Sequence, residues 1–549
     1  MSTSTPASYT PYLTLAAGVA AHLFYFKTGE RHLYPLRYVQ AFILIFVVST
    51  FANSHYGNIS TAEAARSTAI SSALFLTGLY SSLIIYRLFF NPLNKFPGPY
   101  WARLSKFNLV RRVAPKLNGH HELADLHQKY GKFVRIGPND LSVTEPEGVE
   151  VISGNKSKCT KAPWYNQDVP LISMHTCRDR AQHDRRRRIW SPAFSDKALR
   201  GYETRIQVYN DLLIQKMEEH AGQPVDVTKW FNLYSFDVMG DLGFGSGFDM
   251  LQAGDYHWAI KVLNEGMAPL GLNLPIWMFR VMTSIPIISD DYQRFLQYTR
   301  EQLDKRIKMQ GKLKVQDITH TLIEFYRKSD HATQRTQLPM LQGDARLIIV
   351  AGSDTTAATL THLFYHIASQ KGLAERLRDE LDSLLAPGTS FEHAKIQDAK
   401  LLNGAINETL RLNPPVPSGV FRQTPKEGVE IAGTYVPGNT CIQMPGYAMA
   451  RDPDIYPMPL EFIPERFSTR PELIRHKDAF APFSTGPYGC IGKNLAYLEI
   501  RTLASQLLRK FDVALAPGED GHRLLEESKD HFTLGMGRLD LVFTKRQDS

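Results

Sequence analysis

The sequence is poor in cysteine, and its few cysteines form no pairs. Only four occur among 549 residues, and no two of them make a CxxC pair. Spaced cysteine pairs are the usual mark of a structural zinc site or a disulfide framework, so the sequence favours neither and fits a reducing compartment. One cysteine stands out, because Cys490 is framed by Gly489 and Gly492.

The sequence also lacks an extended block of charge of one sign. Its formal net charge is +8, and basic residues are interspersed with acidic ones except in the run Arg185 to Arg188. Nucleic-acid binding requires a basic patch or stripe, so we expect no nucleic-acid partner. The basic excess instead suits an acidic protein partner or an anionic lipid surface.

Long apolar runs are confined to the N-terminus, where three stretches cover about 9–26, 38–52 and 67–86. The first and third are long enough to span a bilayer, and the second is short. A cleaved signal peptide is disfavoured, because no basic residue precedes the first stretch and further apolar segments follow. We predict a membrane region over 1–90 with three transmembrane helices. A single anchor at 67–86 is the alternative.

The charges around these stretches predict their orientation. Basic residues concentrate at 27–37 and again at 87–95, so the positive-inside rule places the first loop and the C-terminal domain in the cytoplasm. The second loop then lies on the other side of the membrane, and it contains Asn58 in a glycosylation sequence. Pro97 and Pro99 forbid a continuing helix, so 91–100 is predicted to be a stiff hinge.

Residues from about 100 onward have a mostly helical pattern, with amphipathic segments near 201–220, 291–311, 371–385 and 400–412. A further segment, 341–366, is apolar over most of its surface and predicts a buried helix.

That buried helix contains the run AGSDTT at 351–356. Glycine costs about 1 kcal/mol in a helix, and threonine hydroxyls compete for its carbonyls. We therefore expect a locally opened helix in which Asp354 and Thr355 hold water and pass protons. The alternative is an interior helix whose polar side chains are simply satisfied.

Two later motifs combine charges with prolines. Glu408 and Arg411 are three residues apart on a predicted helix, so their side chains can meet on one face. Arg466 follows in the sequence PERF and could complete a Glu-Arg-Arg cluster. The alternative for each motif is a surface salt bridge of little energetic value.

Cys490 lies in the sequence FSTGPYGCIG at 483–492, just before an apolar helical run. The glycines allow sharp bends and the close approach of a flat cofactor, and the N-terminus of the helix favours a thiolate. These features indicate a metal-ligating cysteine. A buried structural cysteine in a turn is the alternative.

Taken in order, AGSDTT, ExxR, PERF and FSTGxxGCxG resemble the motifs of the cytochrome P450 family over roughly 95–549. The resemblance implies a mainly α-helical triangular-prism fold with small β-sheets over 101–549. It also implies haem b as cofactor, with Cys490 as the axial thiolate ligand of the iron.

The resemblance further assigns roles by position. Asp354 and Thr355 match the acid and alcohol that deliver protons during dioxygen activation. Residues that match the structural triad around the cysteine loop are Glu408, Arg411 and Arg466. Residues that match haem contacts are Phe483, Gly486, Gly492, His183, Arg187 and Arg422.

Two positions depart from the family pattern. Tyr488 stands where the family usually has arginine or histidine, and His183 stands in place of a tryptophan. Tyrosine can donate only a neutral hydrogen bond to a haem propionate. Haem retention is therefore expected to depend more on His183, Arg187 and Arg422.

The intact Asp354–Thr355 pair implies a monooxygenase that inserts one atom of O₂ into a lipophilic small molecule. Only 59 residues follow Cys490, so electrons are expected from NADPH through a separate cytochrome P450 reductase, with cytochrome b5 as a further partner.

The membrane anchor implies the endoplasmic reticulum. The sequence of the cysteine loop is similar to that of fungal enzymes of secondary metabolism. The alternatives are a haem-thiolate isomerase or dehydratase that uses no NADPH, and a catalytically idle haem-binding scaffold.

The family layout also suggests which segments line the substrate pocket. One of them, 267–279, is nearly uncharged and is expected either to dip into the bilayer or to pack in the core. The other candidate segments are 164–175, 350–351, 416–421 and 533–536.

Overall fold

The computed structural model describes residues 10–311, 316–385 and 391–546. Helices predominate, and the predicted mainly α fold is confirmed. In chain order the helices are α1 (Thr10–Ala20), α2 (Pro35–Gly57), α3 (Thr61–Ile85), α4 (Phe107–Val113), α5 (Gly119–Tyr130), α6 (Gly148–Ser153), α7 (Arg180–Trp190), α8 (Asp196–Glu219), α9 (Val227–Phe244), α10 (Met250–Ala253), α11 (Trp258–Gly266), α12 (Ala268–Gly271), α13 (Ile276–Thr283), α14 (Pro286–Lys308), α15 (Ile318–Lys328), α16 (His331–Ser369), α17 (Leu373–Leu384), α18 (His393–Ile396), α19 (Lys400–Leu412), α20 (Gly446–Ala450), α21 (Lys493–Lys510) and α22 (His522–Glu526).

Within the described residues the strands are short and form four small sheets. In chain order they are β1 (Phe133–Arg135), β2 (Asp140–Val143), β3 (Thr160–Lys161), β4 (Pro224–Asp226), β5 (Phe421–Gln423), β6 (Val429–Ile431), β7 (Thr434–Val436), β8 (Cys441–Gln443), β9 (Phe511–Leu515), β10 (Lys529–His531), β11 (Thr533–Gly535) and β12 (Asp540–Lys545). The largest sheet has the order β1-β2-β8-β5-β3, and a three-stranded sheet has the order β4-β12-β9. Two hairpins, β6–β7 and β10–β11, make up the rest.

The chain divides into two compact units. The N-terminal unit contains the chain up to Leu109 together with 135–139 and 274–289. The large unit contains 110–134, 140–273 and 290–549.

Apolar helices dominate the N-terminal unit. By length and composition, Pro35–Gly57 and Thr61–Lys95 could each cross a membrane. The first predicted span begins at residue 9, which lies outside the described residues, and the rest of it forms α1 and a π-helical continuation at Ala21–Phe26. Helix α13 packs against α2 in the same unit.

Two glycines allow α1 and α3 to pack at close range. A Cβ atom on Gly18 would lie 2.1 Å from the carbonyl oxygen of Phe75, and one on Gly78 would lie 2.1 Å from that of Leu15. Small residues at a helix interface let the two backbones approach closely, which is a common way for apolar helices to associate in lipid.

In the large unit the predicted amphipathic segments form α8, α14, α17 and α19. The predicted buried helix lies within α16, which packs against α9, α19 and α21. Although α16 is also long and apolar enough to cross a membrane, two thirds of its most apolar window is buried within the fold. It is therefore the central helix of this unit.

The expected local opening of that helix at 351–356 is wrong, because α16 is continuous through these residues. The hydroxyl of Thr355 donates to the carbonyl of Ala351 over 2.9 Å, and that of Ser353 donates to Ile349 over 2.8 Å. The hydroxyls share the carbonyls of the preceding turn without displacing the backbone N–H groups, so the helix tolerates them unbroken.

Candidate active site

The large unit encloses a cavity of about 380 Å³ between α16 and the cysteine loop at 483–492. Further walls come from α7, from β3 and β5, and from the β10–β11 hairpin. Eight cavity-lining residues belong to segments expected to form the pocket, and they are Tyr165, Met174, His175, Ala351, Val416, Gly419, Val420 and Thr533.

The cysteine loop is closed by its own backbone. The N–H of Cys490 donates to the carbonyl of Phe483 over 2.8 Å, and that of Gly489 donates to Gly486 over 3.0 Å. Gly486 has φ of +63°, and a Cβ atom there would lie 2.3 Å from the carbonyl oxygen of Ser153. Only glycine fits that position, so the loop conformation is set by its sequence.

The Cys490 side chain is exposed to the cavity. The protein around the cavity still shields the sulfur from bulk water. This burial raises the pKa of the Cys490 thiol, because it disfavours the charged form. Opposing this, the N–H groups of Gly492 and Lys493 at the start of α21, and the charge of Arg187, favour the thiolate. A coordinating thiol is deprotonated outright by its metal ion, so this sulfur is suited to be a metal ligand.

On the opposite wall, Thr355 lines the cavity and Asp354 is turned toward β11. The hydroxyl of Thr533, which also lines the cavity, donates to Asp354 Oδ2 over 3.3 Å. Burial raises the pKa of Asp354 to about 7, and the hydrogen bond from Thr533 opposes that rise. The carboxyl group can therefore hold and release a proton near neutral pH.

The structure brings Glu408, Arg411 and Arg466 together as a fully buried cluster. Arg411 donates from Nε and Nη2 to the two oxygens of Glu408 over 2.8 Å each, and Arg466 Nε donates to Glu408 Oε1 over 3.1 Å. The remaining guanidinium groups bind backbone carbonyls, including those of Ala450 and Leu473. The cluster thereby joins α19 to backbone carbonyls in the segment that precedes the cysteine loop.

Two of the four consecutive arginines on α7 turn inward, and the other two are exposed. Arg187 lines the cavity and donates from Nη1 to the carbonyl of Gly489 over 2.7 Å. Arg186 is buried and instead pairs with Asp344 over 2.5 Å. Arg185 and Arg188 remain at the surface, as expected for a partly solvated helix face.

His183, Arg422 and Tyr488 meet at one end of the cavity. The rings of His183 and Tyr488 have centroids 4.7 Å apart, and the Arg422 guanidinium lies 5.0 Å from the centre of the Tyr488 ring. Burial lowers the pKa of His183 to about 4, with the charge of Lys161 acting in the same direction. This histidine is therefore neutral at pH 7.

Sequence reasoning missed Lys161, which lies on β3 and lines the cavity beside Tyr488. Its side chain is only 4% exposed, and its Nζ donates to the carbonyls of Met174 and His175 over 2.7 Å each. No local motif marks this lysine. Its position becomes meaningful only once β3 pairs with β5, which brings it beside Arg422.

Three basic side chains thus line this cavity without a carboxylate partner among the described residues, and they are Lys161, Arg187 and Arg422. Burial lowers the pKa of Lys161 to about 7, and the charge of Arg422 acts in the same direction. In addition, Arg422 Nε is buried and has no hydrogen-bond partner in the described part of the chain. Burying a cation costs several kcal/mol unless an anion is paired with it. Haem offers two carboxylates for these cations and an iron atom for Cys490, so the residues present fit a haem.

The comparisons with known proteins agree with this geometry. Residues 96–542 match the family model of cytochrome P450. The chain is 48% identical over 544 residues to cytochrome P450 monooxygenase lcsK of Purpureocillium lilacinum, covering 98% of this chain and 99% of that protein. It is 42% identical to cytochrome P450 monooxygenase notG' of Aspergillus versicolor, covering 96% of this chain and 97% of the relative. It is 38% identical to tryprostatin B 6-hydroxylase of Neosartorya fischeri, covering 97% of this chain and 98% of the relative.

Proposed function

The chain belongs to the cytochrome P450 family of monooxygenases, and we propose that it inserts one atom of O₂ into a lipophilic small molecule of fungal secondary metabolism. One observation carries the proposal: the Cys490 side chain opens onto the same cavity that Thr355 lines from the opposite wall. Thiolate ligation on one side and a proton-delivering hydroxyl on the other are what dioxygen activation requires.

Haem b would be held at its iron by Cys490 and at its carboxylates by His183, Arg187 and Arg422. Phe483 would pack beside the sulfur, with Gly486 and Gly492 shaping the turn. When bound, the haem supplies the site at which O₂ binds and is activated.

The chain itself manages the protons and excludes water. Because burial raises its pKa to about 7, the carboxyl group of Asp354 can carry a proton near neutral pH. Thr533 holds that carboxyl group by a hydrogen bond, and Thr355 offers a hydroxyl on the cavity wall. Apolar side chains such as Val416 and Val420 line much of the remaining surface and keep bulk water out.

The Glu408–Arg411–Arg466 cluster has a structural role in this proposal. All three side chains are essentially fully buried, and they bind one another and the backbone. None of the three would touch the substrate. Their contribution is to hold the chain that precedes the cysteine loop.

We further propose that electrons come from NADPH through a separate cytochrome P450 reductase, with cytochrome b5 as an additional donor. Arg185 and Arg188 are exposed on the helix that carries Arg187, which supports the docking of an acidic partner on this face.

The proposed location is the endoplasmic reticulum membrane, with the catalytic domain in the cytoplasm. The apolar helices of the N-terminal unit support anchoring, and the packing of α13 against α2 supports membrane contact by the 267–279 segment and the residues that follow. In the proposed division, 1–90 is the membrane region, 91–100 the hinge and 101–549 the haem domain. Asn58, in the α2–α3 loop, would face the lumen as a glycosylation site.

The reaction is tested with the full chain in lipid nanodiscs, together with a fungal cytochrome P450 reductase and NADPH. Tryprostatin B, the substrate named for one relative, is a first probe. Comparison of metabolites from cells with and without the gene supplies others. The proposal requires an oxygenated product that depends on both reductase and NADPH. Product formed without them indicates an isomerase or dehydratase, and failure to turn over the metabolite that accumulates without the gene indicates an idle scaffold.

A further inference from the structure

A groove of about 580 Å³ runs between α1 and α3 in the N-terminal unit. One wall is a single face of α1 and its π-helical continuation, where Leu15, Val19 and Leu23 are spaced four residues apart and Lys27 follows at the end. The other wall comes from α3 and from the π-helical turn Tyr86–Phe90 that follows it. The groove is thus mostly apolar along its length and ends at a cation.

Contacts between the two helices hold the walls of this groove in place. A hydrogen bond of 2.8 Å joins His22 Nδ1 and Ser82 Oγ. Farther along, the close approach at Gly18 and Gly78 brings the two backbones together. Lys27 is held through its backbone N–H, which donates to the carbonyl of His22 over 2.9 Å. The groove is therefore built into the packing of α1 against α3.

The groove has the length of one membrane leaflet. From Leu15 to Lys27 the helical rise amounts to roughly 15–18 Å. The hydrocarbon region of one leaflet is about 15 Å deep. Spread over the length of the groove, its volume gives a cross-section of roughly 35 Å², whereas a helix 10–12 Å across requires about 80 Å² or more. An extended acyl chain therefore fits within the groove, and a further helix does not.

Lys27 gives the groove a charged end. Among the residues that the structure describes, this lysine has no carboxylate partner, and its Nζ lies 4.2 Å from the centre of the Tyr86 ring. An ammonium group has three N–H donors, and a phosphate group supplies acceptor oxygens and a negative charge. The proposed topology places this end at the cytoplasmic leaflet, where anionic lipids attract basic residues beside membrane helices.

We propose that the groove between α1 and α3 binds one anionic phospholipid, with its phosphate on Lys27 and an acyl chain along the groove toward Leu15. A zwitterionic lipid fits less well, because its headgroup carries a cation of its own that competes with Lys27 for the phosphate. The inference rests on the proposed membrane location and is independent of the haem chemistry.

The site is tested with the full-length protein in nanodiscs made of equal parts of phosphatidylcholine and phosphatidylglycerol with the same acyl chains. After exchange into detergent, native mass spectrometry counts the lipids that stay bound to each chain. Wild type should retain one phosphatidylglycerol, with a several-fold preference over phosphatidylcholine. Equal retention of the two lipids, or no retained lipid, would overturn the proposal.

The contribution of the cation is measured with Lys27→Met. This variant should lower the preference for phosphatidylglycerol about fivefold, which corresponds to the contribution of one basic residue near an anionic bilayer surface. Lys27→Arg keeps the charge and should keep the preference. Arg37→Met is the matched control, because Arg37 is exposed on α2 and does not line the groove. An equal loss in Lys27→Met and Arg37→Met would show diffuse attraction to the basic loop in place of a site.

The acyl chain is tested by filling the groove. Val19→Phe adds bulk halfway along the wall and should reduce retention of both lipids several-fold. Val48→Phe makes the same change on α2, where the side chain is 56% exposed, and should retain lipid like wild type. Unchanged retention in Val19→Phe would show that no acyl chain lies in the groove. Excess ergosterol should not displace phosphatidylglycerol, and displacement would assign the groove to a sterol.

The membrane location and the lipid site fail in different ways. Flotation of the full-length protein with phosphatidylcholine vesicles tests the location alone. A chain that does not float contradicts the membrane location. A chain that floats with the vesicles, but retains phosphatidylglycerol no better than phosphatidylcholine, contradicts the lipid site and leaves the location intact.

Discussion

Arg187 donates a hydrogen bond of 2.7 Å to the carbonyl oxygen of Gly489, the residue directly before Cys490. The same guanidinium lines the cavity and favours the thiolate form of Cys490 through its charge. One side chain thereby binds the cysteine loop, favours the charged form of its sulfur and presents a cation to the proposed cofactor site.

Replacing Arg187 should therefore affect the sulfur as well as haem retention. Arg187→Met is expected to increase the fraction of reduced carbon monoxide complex with a neutral thiol ligand and to speed haem loss several-fold. The absorption spectrum of that complex measures the first effect. Arg188→Met, an exposed residue on the same helix, is the control and should behave like wild type. An unchanged spectrum in Arg187→Met would contradict this role.

The Glu408 cluster should be costly to break. Glu408→Gln leaves Arg411 and Arg466 buried without their anion, and the expected loss is about 3–5 kcal/mol of unfolding free energy. Urea denaturation followed by haem absorbance measures it. Glu472→Gln removes an exposed carboxylate near Arg470 and should change stability by less than about 0.5 kcal/mol. Similar values for the two variants would rule out the structural role.

The raised pKa of Asp354 makes stability depend on pH. Its pKa is about 7 in the fold and 3.8 ordinarily, so the folded protein binds the proton more tightly than the unfolded chain. The resulting stabilisation is complete below about pH 4 and is lost as the pH rises through 7. Between pH 5 and 8, wild type should lose roughly 2–3 kcal/mol more unfolding free energy than Asp354→Asn does.

Unfolding experiments at pH 5 and pH 8 on wild type and Asp354→Asn provide this comparison. Asp454→Asn, an exposed residue, is the control and should keep the wild-type dependence on pH. If Asp354→Asn also keeps it, the carboxyl group does not titrate in this range.

Thr533 should control how efficiently electrons are used. Thr533→Val removes the hydroxyl that holds Asp354, so the pKa of Asp354 should rise further and proton delivery should become slower. The expected result is a several-fold lower yield of product per NADPH, with more hydrogen peroxide released. Thr533→Ser keeps the hydroxyl and should restore the wild-type yield. Equal yields in the valine and serine variants would show that the hydrogen bond has no role.

The long apolar pattern of α16 and the ordered motifs allowed the fold, the family and the position of Cys490 to be predicted from the sequence. Both features can be identified along the sequence, because neither depends on which segments pair in the folded protein. The continuity of α16 was not predicted, since Thr355 can either open a helix or share a carbonyl within it. The local sequence does not decide between an opened helix and a continuous one.

Lys161 shows the other limit of sequence reasoning. A lysine in a short strand has no motif around it, and its meaning depends on pairing with Arg422 across the sheet. The same holds for Thr533, whose partner Asp354 lies far away in the sequence. Burial and strand register supply this information, and both are properties of the folded chain.

The central claim is that Cys490 is the thiolate ligand of a haem iron. It is tested most directly by the absorption spectrum of the reduced protein with carbon monoxide, recorded for wild type and Cys490→Ser. Wild type should show the strongly red-shifted Soret band of thiolate ligation, and Cys490→Ser should lack it. A red-shifted band that survives in Cys490→Ser, or its absence from haem-loaded wild type, would contradict the account.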